Sequence, residues 1–347
     1  MAPAYASQYN TWVPALEDSN RLLVDFSRNP RDFGVNKYMQ IVPVKKTIGY
    51  YLEMTLEERM RLLDNTLRNF AWPDGGDAPL GKHGTEGFEF KQFNAQRYAY
   101  PFTLGDLAIE QAAWDISAQH LDIKAQQAMT GRTQLAITTM TTAANYTTAH
   151  KKSLATEQWD AATTANLNIK RNIDYGVKQI LKATGSVVKR NQLMLVVSPG
   201  LAAAMAESQE LVDYLKGSPT ALAFVRGETS EGAEDAHALF GLPPVYAGVK
   251  IVVEDAVKVT SRKGATVVQA FLQDDALAFI CARPGGLEGR YGGPSFSTGT
   301  LFVYDHDDLS VEVKHDVDNR KVAGRVVDTL ASVMTAQISG FLFTSAM

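Results

Sequence analysis

The spacing of hydrophobic and polar positions changes several times along the chain. Residues 1–40 show no sustained period, and their apolar side chains are scattered among Pro, Asn, Asp and Arg. Residues 38–52 are rich in β-branched and aromatic side chains, which is typical of an extended segment, and Pro43 favours an edge strand. The chain is therefore expected to begin with an arm that has no core of its own.

A helix and a returning strand are predicted next. Apolar residues recur every three or four positions from Leu56 to Phe70, after a capping box formed by Thr55 and Glu58. A glycine-rich loop follows, and residues 88–98 then alternate between apolar and polar side chains. We expect this whole region to project from the body as a long hairpin.

Two more helices are predicted by their apolar stripes. The first is expected over 106–130, with Asp106 as N-cap and Gly131 closing it. The second is expected over 156–185, a length of roughly 40 Å. Opposite its apolar stripe lie three basic residues, Arg171, Lys178 and Lys182. These either complement the dipole near the helix C-terminus or form a functional surface.

From residue 192 the pattern is typical of a compact α/β fold. Residues 192–198 predict a strand, after which Ser198 caps a helix that has Pro199 in its first position. Ser208 begins a further helix that ends before Gly217. Additional strands are predicted at about 244–254, 266–273, 276–282, 300–305 and 309–317.

Composition limits the function classes. The 347 residues are 45% hydrophobic, enough for a sizeable core. A formal net charge of −4 gives no overall attraction to nucleic acid, so any DNA contact is expected from a local patch. The single cysteine, Cys281, lies in an apolar run and is expected to be a buried structural thiol. No signal peptide or membrane-spanning run is found, so a cytoplasmic product is expected.

The densest group of candidate ligands lies between residues 305 and 318. Its members are Asp305, His306, Asp307, Asp308, Glu312, His315, Asp316 and Asp318. Such groups can hold a divalent cation. The segment nevertheless lacks the glycine of a calcium-binding loop and the paired histidines of a zinc site. Val311 and Val313 alternate with polar residues, which favours a solvated strand and turn over a metal site.

Other segments lack the spacing that catalysis or cofactor binding needs. The glycines between Pro284 and Gly293 match no phosphate-binding pattern, which favours a flexible connection. Residues 293–297 lack the second glycine of a nucleophile elbow. His120 lies on an apolar helix face, where a structural histidine is expected. We therefore assign no catalytic, cofactor-binding or metal-binding residue.

The order of these elements resembles the Hong-Kong-97-type fold of tailed-phage major capsid proteins, which encapsulins share. Residues 193–215 look like that family's strand, Ser-Pro turn and helix, and residues 239–255 look like its segment ending in a short strand. Residues 277–280, the glycine-rich loop after them and residues 311–314 are similar to the family's return to the peripheral domain.

The resemblance implies an α+β architecture of four parts. They are an N-terminal arm at 1–40, an extended loop at 41–100 that overlaps a neighbouring subunit, a peripheral domain at 101–191 and 300–347, and an axial domain at 192–299. The predicted helix at 156–185 then corresponds to the long spine helix of the peripheral domain.

The function implied is that of a structural major capsid protein, not an enzyme. Its copies are expected to self-assemble as hexamers and pentamers into an icosahedral virion shell around double-stranded DNA, in the host cytoplasm. The expected partners are a portal, in some systems a decoration protein, and a scaffolding protein that acts in trans, because no charged coiled-coil-like segment precedes the arm. Arg171, Lys178 and Lys182 are the candidate lumen-facing residues, in weak non-specific contact with DNA. No cofactor or membrane partner is expected.

Three alternatives stay open at this point. An encapsulin-like nanocompartment has the same fold but encloses protein cargo. A metal-dependent enzyme would use the acidic and histidine cluster at 305–318. A tail protein or another virion component is the third.

Overall fold

The computed structural model describes residues 32–54, 72, 74–76, 88–112, 114–160, 168–217, 241–262, 264–285 and 297–347. Most of the predicted arm lies outside these residues. So do the helix expected at 55–70, most of the glycine-rich stretch after it, and most of the loop that follows Pro284.

The described residues form six α-helices and fifteen β-strands. The helices are α1 (Val35–Tyr38), α2 (Asp106–Gln111), α3 (Ile116–Thr141), α4 (Ile169–Ala183), α5 (Pro199–Glu207) and α6 (Gln209–Lys216). The strands are β1 (Met39–Val44), β2 (Ile48–Met54), β3 (Phe88–Asn94), β4 (Gln96–Gly105), β5 (Lys151–Ser153), β6 (Leu193–Val197), β7 (Val245–Tyr246), β8 (Val249–Val253), β9 (Val257–Val259), β10 (Gln269–Phe271), β11 (Leu277–Ala282), β12 (Gly299–Tyr304), β13 (Ser310–Asp316), β14 (Lys321–Met334) and β15 (Phe341–Thr344).

Two sheets make up the body of this α+β fold. In the five-stranded sheet the order is β1-β12-β14-β13, with β4 also paired to β14. Residues 321–327 of β14 pair with both β13 and β4, so these two strands lie on opposite edges of β14. The six-stranded sheet has the order β5-β15-β11-β6-β8-β7. Strands β2 and β3 form a separate two-stranded ribbon, as do β9 and β10.

The six-stranded sheet lies between two hydrophobic clusters. Along β6, Leu195 and Val197 join residues of α4 and α5 in one cluster. Met194 and Val196 point to the other face, where they join residues of α3 and of the five-stranded sheet. A strand that is buried on both faces reads as a continuous apolar run, which is what residues 193–197 show.

The long helix of the fold is α3. It contains 26 residues, or about 39 Å of axial length. The helix predicted over 106–130 is in fact two helices, since α3 has its own N-cap: Asp115 accepts a hydrogen bond from the backbone N–H of Ala118 at 3.0 Å. Gly131 does not end the helix. The hydroxyl of Tyr100 occupies the space that a Cβ would need, so this glycine allows close packing between α3 and β4.

The spine-helix prediction over 156–185 is wrong in its first part. Helix α4 begins only at Ile169, and the described residues 155–160 form turns. The backbone N–H of Trp159 donates to the carbonyl of Ala346 at 2.8 Å. This segment is therefore hydrogen-bonded to residues near 346. Because the two partners are so distant in sequence, the local spacing of apolar residues could not predict the contact.

The helices predicted after residue 192 are confirmed. Ser198 caps α5, its Oγ accepting from the N–H of Leu201 at 3.2 Å, and Pro199 occupies the first turn. Ser208 caps α6 in the same way, with 3.4 Å to the N–H of Leu211. Both caps satisfy N–H groups that have no partner within the helix.

The six-stranded sheet also joins segments that the predicted domain boundaries separate. Strand β15 pairs with β11 on one side and with β5 on the other. Helix α4 packs on the same sheet, since a Cβ added to Gly176 would lie 3.1 Å from Ile280 and 3.2 Å from Phe341. The boundaries themselves stay predictions, but the hydrogen-bonded core crosses them.

Candidate assembly surfaces

Helix α4 is anchored at its N-terminus by Glu210 of α6. The two carboxylate oxygens accept from the backbone N–H groups of Ile169 at 3.0 Å and Lys170 at 2.8 Å. The Tyr246 hydroxyl donates to the same carboxylate at 2.7 Å. Burial, followed by the Glu210 contact, raises the pKa of Tyr246. A carboxylate here satisfies free N–H groups and interacts favourably with the helix dipole. Sequence periodicity gave no indication of this link.

The outer face of α4 carries the three basic residues selected from the sequence. Arg171, Lys178 and Lys182 are all exposed, whereas Ile173 and Val177 on the opposite face are buried. The structure thus brings the three cations onto one solvent-facing side of a single helix.

A further lysine, the partly buried Lys152, contacts α4 directly. Lys152 Nζ donates to Glu157 Oε2 at 2.7 Å and to Asn172 Oδ1 at 2.6 Å. It also lies 5.5 Å from the centre of the Tyr175 ring. The hydrogen bond from Lys152 lowers the pKa of Glu157. Lys152 therefore ties β5 to α4 and contributes to the fold.

The acidic cluster at 305–318 is divided among separate ion pairs. Asp307 accepts from Arg97 Nη2 at 2.7 Å and from the Thr329 hydroxyl at 2.9 Å. Glu312 accepts from Arg325 Nε at 2.5 Å. His315 Nε2 lies 3.3 Å from Asp106 Oδ1. Each of these groups therefore has a partner that is not a metal.

Two further acidic groups of this segment, Asp308 and Asp316, also have partners. Asp308 is ion-paired with Arg132, and Asp316 accepts from Asn319 Nδ2 at 2.8 Å. The hydrogen bond from Asn319 lowers the pKa of Asp316. Across the described residues, no group of three or more His, Cys, Asp or Glu side chains is arranged to hold a metal ion.

A buried ion pair links α3 to β14, and the sequence alone did not indicate it. Arg132 donates from Nε to Asp328 Oδ2 at 2.6 Å and from Nη2 to Asp328 Oδ1 at 2.7 Å. The side chains of Arg132 and Asp328 are 5% and 1% exposed. Removing one partner of such a pair leaves a charge in a water-poor site. The pair therefore holds the long helix against the long strand.

Two residues set aside as structural in the sequence are structural here. Cys281 is fully buried, and burial raises the pKa of its thiol, which keeps it protonated and unreactive. His120 stacks on Phe102, with 5.9 Å between the ring centres, and partial burial lowers its pKa. Ser297, at the end of the incomplete nucleophile-elbow pattern, is buried and donates to the carbonyl of Gly299 at 2.5 Å.

The β2–β3 ribbon presents an apolar face to solvent. Ile48, Tyr50 and Phe90 are 51%, 67% and 71% exposed. The other face packs on the body, where Phe93 stacks on Phe302 with 4.1 Å between ring centres. Exposed large apolar side chains on one face of a ribbon make that face a candidate contact site. Among the described helices, none has the length and apolar character needed to cross a membrane.

No protein-family model matches the sequence. No curated protein sequence is detectably similar to it. Solved structures, in contrast, match along almost the whole chain.

Three of these structures illustrate the match. A phage-related protein from Bordetella bronchiseptica RB50 aligns with a TM-score of 0.60 at 16% identity, covering 92% of this chain and 93% of its own. The capsid of the cyanophage P-SCSP1u gives 0.59 at 11% identity, covering 94% and 91%. The capsid of an empty GTA particle gives 0.53 at 12% identity, covering 94% and 100%. At these identities the likeness concerns the fold, and the chain has the fold of tailed-phage major capsid proteins that its sequence resembles.

Proposed function

We propose that this chain is the repeating subunit of a self-assembling icosahedral capsid of the tailed-phage type. The observation that carries the proposal is the fold, which the capsids of P-SCSP1u and of the GTA particle share over at least 91% of each chain. Such a subunit acts by contact with its copies and performs no catalysis. A hexamer and pentamer arrangement then places many moderate interfaces on each copy.

The exposed ribbon supports a role in contacts between copies. In the proposal, the extended loop at 41–100, which includes β2 and β3, overlaps a neighbouring subunit. Tyr50 and Phe90 provide apolar area on the face that the subunit itself leaves uncovered. Burying such area yields about 25 cal/mol per Å². The arm at 1–40 and the two domains, 101–191 with 300–347 and 192–299, complete the arrangement.

Packaged double-stranded DNA is the proposed content of the shell. Arg171, Lys178 and Lys182 are proposed to face the lumen, where three exposed cations on one helix would contact phosphate weakly and without sequence preference. The overall charge of −4 agrees with a wall that does not hold the DNA tightly. A reconstruction of an assembled particle would show whether these side chains point inward.

The proposed partners are those of a virion under assembly in the host cytoplasm. They comprise a scaffolding protein acting in trans, a portal and, in some systems, a decoration protein. An encapsulin-like compartment differs only in its content, so nuclease-protected DNA in purified particles would separate the two. The metal-dependent alternative is not favoured, because Asp307, Asp308 and Glu312 are already ion-paired with arginines.

Assembly is tested by expressing the full chain with and without a candidate scaffolding protein. Particle mass is then measured by sedimentation, and particle shape by electron microscopy. We expect closed shells or capsomers. A protein that stays monomeric or dimeric under every assembly condition would contradict the proposal.

The apolar ribbon face allows a matched test. We expect Phe90→Ser to reduce particle yield at least several-fold while leaving the unfolding temperature of the free subunit almost unchanged, because the Phe90 side chain is 71% exposed. Phe93→Ser is the control on the opposite face of the same strand. It removes a buried ring and should lower the unfolding temperature itself. Normal particle yield with Phe90→Ser would show that this face makes no contact between copies.

A further inference from the structure

Strand β13 is an edge strand with an open outer side. In the described part of the chain it pairs with β14 alone, along 310–316. Val311 and Val313 are 54% and 56% exposed, although valine is usually buried in a sheet. An exposed edge of this kind can pair with a strand of another chain.

The two faces of β13 differ in chemistry. Val311 lies beside Val326, and Val313 beside Gly324, on the face that α3 covers further along the sheet. Glu312 lies beside Arg325 on the other face and is hydrogen-bonded to it. Lys314 points to that same face and is exposed, with no anionic partner among the described residues.

We propose that β13 pairs antiparallel with β13 of a second copy of this chain, about a two-fold axis at Val313. In this register Val313 faces the partner's Val313. Glu312 then faces the partner's Lys314, and Lys314 faces the partner's Glu312. Two ion pairs form on one face and an apolar contact forms on the other.

Neighbouring symmetric registers are unfavourable. An axis at Glu312 would set that carboxylate opposite its own copy. An axis at Lys314 would oppose two ammonium groups and would bring Glu312 against the partner's Asp316. An axis between two residues would place a valine opposite a charged group. It would also turn the apolar face of one strand to the side that holds the charged face of the other. Opposite charges across a strand pair are stabilising, and like charges are destabilising. Of the three registers centred on Glu312, Val313 and Lys314, the charge sequence of β13 therefore favours the one centred on Val313.

The pairing joins two β4-β14-β13 units into one continuous sheet across the axis. A closed two-fold contact of this kind is isologous and limits itself to two copies. Seven residues of strand bury less than a standard stable interface, so we expect the contact to form within a larger assembly. Its placement between neighbouring capsomers rests on the proposed function, whereas the strand pairing needs only a second copy.

Cysteine cross-linking tests the register in assembled particles. A Cβ directly opposite its own copy lies about 4.5–5.5 Å away, close to disulfide range. We expect Val313→Cys to give a covalent dimer on a non-reducing gel after mild oxidation. Val311→Cys is the matched control, equally exposed on the same face. Its two copies would be four residues apart along the strands, about 13 Å, and should stay monomeric. The native Cys281 is buried and does not interfere.

Charge reversal gives an independent readout. Lys314→Glu opposes like charges at both cross-strand pairs and should lower particle yield or shift assembly to higher protein concentration. The swap Glu312→Lys with Lys314→Glu, made together with Arg325→Glu to keep the ion pair within the chain, recreates both pairs between the copies and should recover most of the loss. Lys124→Glu, at a partly exposed position of α3, is the control and should assemble normally.

The outcomes separate this inference from the proposed function. Particles that form normally while Val313→Cys and Val311→Cys cross-link to the same extent, or not at all, would overturn the strand pairing and leave the shell intact. If no particles form, the same cysteine pair is compared in concentrated protein. A dimer specific to Val313→Cys there supports the pairing, and its absence overturns it.

Discussion

The two sheets of this protein differ in how far the chain covers them. The six-stranded sheet is buried on both faces, and residues 193–197 of its β6 strand are all buried. At the far end of the five-stranded sheet, β13 is exposed on both faces and along its outer edge. The chain has enough hydrophobic residues to bury the first sheet, so a shortage of them does not explain why one edge of the second sheet is exposed. The chain thus completes the first sheet alone, whereas the open edge of the second is the one that we propose to pair with a further copy.

The ion pairs along β14 show the same difference. Asp328 and Arg132 are almost fully buried, with 1% and 5% of their side chains exposed. Arg325, at the exposed end of the strand, has 55% of its side chain exposed, and its partner Glu312 has 50% exposed. One pair contributes to the fold of the single chain, and the other is available to a partner.

The largest expected effect lies in the six-stranded sheet. Phe341 is fully buried, with its ring centre 5.0 Å from that of Phe343 and 5.8 Å from that of Tyr175. We expect Phe341→Ala to lower the free energy of unfolding by about 3–5 kcal/mol, measured by urea denaturation. Val313→Ala, which removes exposed apolar atoms from the other sheet, should change it by less than about 0.5 kcal/mol. Equal losses of unfolding free energy in the two variants would show that the two sheets do not differ in how much they stabilise the single chain.

A smaller effect separates the two ion pairs. Asp328→Asn leaves the Arg132 guanidinium buried with only the half-exposed Asp308 as an anionic partner, so we expect a loss of about 3 kcal/mol in unfolding free energy. Glu312→Gln, at the exposed pair, should cost at most about 1 kcal/mol in the isolated subunit. A small loss with Asp328→Asn would mean that α3 is held to β14 mainly by other contacts, such as apolar packing and the hydrogen bond from Ser332 to Thr139.

The smallest effect is a dependence on pH. The pKa of Glu157 is lowered in the folded state by its hydrogen bond from Lys152. Its contribution is therefore complete above the ordinary carboxyl pKa, about 4.3, and is lost as the pH falls below that value. We expect Glu157→Gln to cost under about 1 kcal/mol at pH 7 and less at pH 3.5. Urea denaturation of the variant and of the unchanged protein at pH 7 and pH 3.5 measures the difference, and an equal cost at the two pH values would contradict it.

The sequence predicted most accurately those elements whose signals are local. The caps at Ser198 and Ser208 and the alternation around Val311 and Val313 each depend on a few neighbouring residues, and the structure has the expected helices and strand there. The three basic residues of α4 are also on one exposed face, as the 3.6-residue period indicates.

The longest helix was assigned to the wrong segment because its pattern is weak. Helix α3 contains several threonines whose hydroxyls donate to carbonyls one turn earlier, for example Thr133 to Met129 at 2.9 Å. It also contains Gly131. From the sequence alone a glycine here predicts a helix end, because the close contact with Tyr100 that explains it is not visible. The amphipathic stripe of α4, in contrast, is strong, and it led to an extension of that helix into residues that bond elsewhere.

By itself, the sequence determined the α+β class, the local caps and the buried apolar strands, because each depends on residue types and short spacings. The order of these elements carried the resemblance to a capsid fold. The tertiary structure decided which helix is long, where Glu210 and Arg132 find their partners, and that β5 and β15 belong to the six-stranded sheet. It also decided that β13 is an open edge. These properties arise from contacts between distant segments, whose positions follow from the packing of the whole chain.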